Sequence, residues 1–143
     1  MPKIDPWRLD PARYPHRVAI QTRFQDVDML GHLNNVAMAA LFETARVRFN
    51  HRLGLGEWRG YRWLVARIAI DYLAEGYHPA DVEIGTGIGR MGNRSWQLLA
   101  AAWQNDRPIA ICEAVLVMEA KQDETSLPGS FRERLAQFQV RGT

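Results

Sequence analysis

The stretch from Tyr61 to Asp123 constrains the fold most, because it reads as strand after strand with breaks too short to hold a crossover helix. Residues 63–73 are rich in β-branched and aromatic side chains, and Gly76 to Pro79 breaks them. Val82, Ile84, Thr86 and Ile88 then alternate with Glu83, Gly85, Gly87 and Gly89, which predicts a strand with one face of small residues. Residues 95–104 and 109–119 form two more strands, joined by the turn-forming run Asn105-Asp106-Arg107-Pro108. Consecutive strands on short connections pair most simply antiparallel, since a parallel pair needs a long crossover.

Upstream, Val18, Ile20, Thr22 and Phe24 alternate with Ala19, Gln21 and Arg23, so residues 17–24 read as a half-buried strand. A polar turn over 25–35 follows, and the pair Asn34-Asn35 offers a helix cap. Met38, Phe42, Ala45 and Phe49 recur at helical spacing from there, and Gly54 and Gly56 end the helix after roughly four to five turns. Residues 1–15 hold four prolines and read as an extended lead-in. Residues 121–143 read as a tail in which Pro128-Gly129, Phe131, Leu135 and Phe138 predict a short helix. One long helix with one apolar face must lie on the sheet, which gives an α+β architecture: a central helix wrapped by a curved antiparallel sheet of about five strands. The other sheet face and the strand edges then need cover, and edge-to-edge dimerisation would extend the sheet.

At 143 residues, 47% of them hydrophobic and 24% charged, the chain suits one domain over 1–143 with a core of its own. Long uncharged apolar runs are missing, and residues 1–10 lack the apolar region of a secretory signal, so a cytoplasmic protein with no membrane partner is expected. The single Cys112 lies in an apolar run, where it reads as a small buried hydrophobe. A net charge of +2, with arginines scattered from Arg8 to Arg141, argues against nucleic acid as a partner. His16, His51 and His78 have no ligand-spaced companion, so no metal and no cofactor are expected.

Chemistry concentrates in Phe24-Gln25-Asp26-Val27-Asp28-Met29-Leu30-Gly31-His32-Leu33-Asn34-Asn35. Two carboxylates, an imidazole and two carboxamides meet at the junction of a strand and a helix N-terminus. Such a junction presents unpaired N–H groups and a partial positive charge, which suit a developing oxyanion. A carboxylate beside it could attack a carbonyl, or activate water to do so. Asp, Gly and Asn are also what any strand-to-helix turn contains, so on composition alone a purely structural turn stands beside the functional one.

The same run from Arg23 to Asn35, continuing through Leu41-Phe42-Glu43-Thr44-Ala45-Arg46, resembles the signature of the 4-hydroxybenzoyl-CoA thioesterase family of hotdog proteins. Residues 65–73 and 111–118 resemble that family's second and last strands, so the likeness covers roughly 17 to 120. It implies the hotdog fold and hydrolysis of an acyl thioester carried by coenzyme A or an acyl carrier protein. It also implies Asp28 as the catalytic carboxylate, acting as nucleophile or general base, with Asp26 structural. The N–H near Asn35 would polarise the carbonyl, Gly31 would allow close approach, and His32 and Asn34 would orient carboxylate, water or substrate. Because the family's site lies between subunits, a homodimer or homotetramer is implied. Met38-Ala39-Ala40-Leu41-Phe42-Glu43 departs from the Tyr-Leu-Glu-Tyr-Phe-Glu of many relatives, implying a more apolar acyl pocket.

Gly87-Ile88-Gly89-Arg90-Met91-Gly92 fits a dinucleotide-binding pattern but sits in a strand followed by another strand, so close backbone packing is its expected role. Arg90 and Arg94 beside it are candidate contacts for coenzyme A phosphates, or solvated surface charges. Glu43 is a helix-face charge or a helix-borne base. The five tryptophans read as core and interface mass, with Trp58 and Trp63 candidates to cover an acyl pocket. Two other functions remain open: a hydratase pairing an aspartate with a histidine, whose wider Asp-x-x-x-x-His spacing is not met by Asp28 and His32, and a module that binds an acyl thioester without turnover.

Overall fold

The computed structural model describes residues 3–119 and 126–142. Five strands, β1 (His16–Ile20), β2 (Arg62–Tyr72), β3 (Val82–Met91), β4 (Ser95–Gln104) and β5 (Arg107–Glu119), form one sheet in the order β1-β3-β4-β5-β2. All four pairings are antiparallel. Helix α1 (Asn35–Leu53) packs on one face, and helix α2 (Gly129–Ala136) closes one end of the core. The expected architecture is thus observed, with one change of topology. β2 does not pair with β3 but lies at the far edge beside β5, so residues 73–81 cross the ends of β5 and β4 to reach β3. Backbone bonds from Leu73 and Ala74 to the Ile109 carbonyl hold the start of that crossing.

Helix α1 forms where its caps dictate. The Asn34 carboxamide oxygen accepts from the Ala37 N–H at 2.8 Å, and Gly54, at φ 75°, ends the helix with its N–H on the Asn50 and His51 carbonyls. Met38, Leu41, Phe42, Ala45 and Phe49 face the sheet, where small residues of β4 and β5, Ala100, Ala102, Ala110, Cys112 and Ala114, make room for them. Burial raises the Cys112 thiol to about 11, consistent with an inert core residue.

The opposite face is covered by the chain's own ends. The lead-in is not extended: Pro6–Leu9 and Pro11–Arg13 are 3₁₀ turns that bring Trp7, Leu9 and Tyr14 against Leu99, Ala101 and Trp103. The glycines of β3 make this contact possible, since a Cβ on Gly85 would lie 2.8 Å from the Tyr14 Cβ, and one on Gly87 2.8 Å from Pro15 and Val140. Strand β1 ends at Ile20, four residues sooner than the alternation predicts, because Arg23 and Asp26 bond each other and turn the chain into a 3₁₀ turn. Phe24 is consequently 82% exposed rather than inward. Trp63 stacks on Phe131, with Trp58 and Trp96 edge-on to the same ring, in the core cluster at the C-terminal end of α1. Trp58 and Trp63 are therefore remote from the helix N-terminus and do not cover a pocket there.

Candidate functional site

The segment from Asp26 to Asn35 folds as a compact loop locked by its own backbone. Val27 pairs with Leu33, the Asp28 N–H donates to the His32 carbonyl at 2.8 Å, and the Gly31 N–H donates to the Asp28 carbonyl at 3.1 Å. Gly31 sits at φ 80°, which only glycine adopts without strain, and a Cβ there would meet no protein atom. Its requirement is therefore the turn itself, with open space where a side chain would stand. Asp26 is buried and structural: Arg23 reaches Oδ1 at 2.9 Å, the Arg23 N–H reaches Oδ2, and the Asp26 carbonyl accepts from Asn34. The Arg23 guanidinium holds the Asp26 carboxyl below its ordinary value, against the opposing effect of burial.

Asp28 differs from Asp26 in that its carboxylate is exposed and half engaged. Oδ1 accepts from the N–H groups of Leu30 at 2.9 Å and His32 at 3.2 Å, while Oδ2 has no partner among the described residues. One oxygen thus fixes the rotamer and the other is available for chemistry. The Asn34 cap satisfies the third helical N–H, leaving those of Asn35 and Val36 without a protein acceptor among the described residues. A cleft of about 360 Å³ is lined at its polar mouth by Asp28, His32, Asn35 and Glu75, and further in by Leu33, Met38 and Leu73. Tyr72, at the end of β2, walls the same cleft and donates its hydroxyl to the Asn35 carbonyl at 3.2 Å.

The crossing connection supplies what the linear motif lacked. His32 pairs with Tyr77 in a backbone bridge, its Nε2 lies 3.2 Å from Glu75 Oε2, and the Tyr77 hydroxyl donates to the same Glu75 oxygen at 3.1 Å. Sequence reasoning missed Glu75, Tyr77 and Tyr72, because only the β2–β5 pairing brings residues 72–77 to the helix N-terminus. The one sequence signal was a carboxylate and an aromatic flanking the chain break at Gly76.

Of the residues singled out by sequence, the structure brings Asp28, His32 and Asn35 into one cleft, with Gly31 in the turn and Asn34 capping the helix beside it. It does not bring Arg90 and Arg94 there within one chain. Arg90 borders a separate groove with Trp7, Gln97 and Gln139, and Arg94 donates to the Met118 carbonyl at 3.2 Å. Glu43 stands on the exposed face of α1, away from the cleft. No group of three or more His, Cys, Asp or Glu suited to a metal occurs among the described residues, and no helix there is long and apolar enough to cross a membrane.

A central helix on a five-stranded antiparallel sheet, with an acidic loop at the helix N-terminus, defines the hotdog class. The chain matches the thioesterase-like superfamily over residues 22–135. Its fold and sequence are similar to those of a thioesterase from Thermus thermophilus complexed with coenzyme A and Zn (31% identity, TM-score 0.76, covering 87% of this chain and 95% of that one). A protein from Pseudomonas aeruginosa is 29% identical (TM-score 0.76, 92% of this chain and 96% of that one). A predicted thioesterase from Bacillus stearothermophilus is 26% identical (TM-score 0.75, 89% and 98%). No curated protein matches the chain. The chain belongs to the thioesterase-like superfamily of hotdog enzymes, whose reaction is hydrolysis of a thioester.

Proposed function

We propose that this enzyme hydrolyses an acyl thioester of coenzyme A or of an acyl carrier protein at the Asp28 cleft, as a homodimer or homotetramer. The observation that carries the reading is that the unengaged Asp28 Oδ2 and Asn35, whose N–H is unpaired at the start of α1, border one cleft. The carbonyl oxygen of the substrate would take the Asn35 N–H, which stabilises the charge that develops as the carbon becomes tetrahedral. Asp28 then either attacks the carbon or takes the proton of the attacking water. The apolar inner wall of Leu33, Met38 and Leu73 suits an acyl chain, and the coenzyme A bound by the Thermus protein supports that carrier.

The assembly is supported by β2, an 11-residue edge strand whose Leu64, Val65, Ile68 and Tyr72 are each 42–47% exposed. A long apolar edge invites pairing with a second copy. Tyr72 belongs to both this edge and the cleft, so pairing there would bring the partner to the cleft's open side. A panel of short, long, branched and aromatic acyl-CoAs with a thiol-trapping reagent tests the function. Thiol release from at least one member is expected; water addition to an enoyl-CoA without thiol would mark a hydratase, and silence across the panel a binding module.

A further inference from the structure

We propose that Glu75 is a positioning residue for the reaction, holding His32 so that its Nδ1 hands a proton to the departing thiolate. This rests on the hydrolytic reading above. The Glu75 carboxylate takes the Nε2 side of the imidazole at 3.2 Å, and Nδ1 has no partner among the described residues. A carboxylate on one ring nitrogen fixes ring and tautomer and directs proton traffic to the other. The ring is further fixed by Tyr77, edge-on with centroids 5.2 Å apart.

Glu75 is itself held from several directions although its side chain is 60% exposed. The Tyr77 hydroxyl donates to its Oε2, and Arg107 donates to its backbone carbonyl at 2.7 Å. The flanking Gly76 carbonyl accepts from Leu33, and the Tyr77 N–H donates to the Gln104 carboxamide at 2.8 Å. An exposed carboxylate on so constrained a loop, aimed at a cleft histidine, is more than a solvated charge. The groups facing His32 are thus the Glu75 carboxylate, the Tyr77 ring and, from its own turn, Asp28, whose Oδ1 takes the His32 N–H.

In the water-activated form of the reaction, the water oxygen bonds to the carbonyl carbon as Asp28 takes one of its protons. The proton on Asp28 then passes through solvent to Nδ1 of His32, while the Nε2–H stays on Glu75. The C–S bond breaks, its electron pair goes to sulfur, and sulfur takes that Nδ1 proton, so one water is consumed, one acid and one thiol are formed, and His32 and Asp28 end as they began.

Glu75→Gln should lower kcat on an alkyl thioester such as an acyl-CoA by about tenfold, a fraction of the effect of a general acid, with KM unchanged within about twofold. On the thiophenyl ester of the same acyl group, whose thiolate leaves without a proton, kcat should stay within about twofold of wild type. His32→Gln should show the same split between esters. Equal losses on both esters would assign Glu75 a structural role, and unchanged kcat on both would remove it from the reaction; either overturns the proposal. Wild-type enzyme releasing thiol from neither ester would instead sink the hydrolytic reading itself.

Discussion

Asn34→Ala removes one hydrogen bond whose consequences can be worked through. In the native chain the Asn34 carboxamide oxygen accepts from Ala37 at 2.8 Å, and its backbone N–H donates to Asp26 at 2.9 Å. Alanine keeps the second bond and loses the first, exposing another orphan N–H at the start of the helix. Losing such a cap costs typically about 1 kcal/mol. With an unfolding entropy of about 2.1 cal/mol/K per residue, a chain of 143 residues should lose about 3 °C in Tm. Asn34→Asp keeps the accepting oxygen and places a negative charge at the positive end of the helix, worth about 0.3–1 kcal/mol, so its Tm should equal or exceed wild type. Calorimetry of the three proteins at one concentration and pH decides it. Equal losses in both variants would refute the cap as the function of that oxygen. A loss of kcat in Asn34→Asp at full stability would instead assign the amide N–H₂ a contact with substrate.

Two further outcomes follow from the same structure. The Asp26 carboxyl is held below its ordinary value of 3.8 by Arg23, so it contributes stability that is fully present above that value and is lost as pH falls through the lower, folded value. Asp26→Asn should therefore flatten the acid limb of the stability curve below about pH 4, and an acid limb unchanged in shape would contradict the pairing. Ile68→Lys on the β2 edge should weaken self-association by at least about a hundredfold, because each copy would bury an unpaired charge at a cost of several kcal/mol; sedimentation showing wild-type association would exclude that edge as the interface.

Much of the fold is legible because local signals and tertiary packing agree. Met38, Phe42, Ala45 and Phe49 lie on the buried side of α1 as their spacing requires, and Asn105-Asp106 turns between β4 and β5 with φ of 50° and 65°. What was not legible depends on neighbours distant in sequence. Nothing local says that β2 leaves β3 for β5, and that choice alone carries Glu75 and Tyr77 to His32. Phe24 fits the alternation of β1, yet the Arg23–Asp26 pair overrides it. The site was half legible for the same reason: Asp28, His32 and Asn35 share one local motif, whereas the wall that makes them a cleft comes from residues 72–76.

The chemistry assigned to Asp28 is tested most directly by single-turnover thiol release from a good acyl-CoA, comparing wild type with Asp28→Asn. Asparagine keeps an oxygen to accept from Leu30 and His32, so the loop should hold and the circular dichroism and Tm should match wild type. The rate should fall by at least about a hundredfold, the usual scale for losing an acid–base group. A folded variant that releases thiol at the wild-type rate would contradict the central claim.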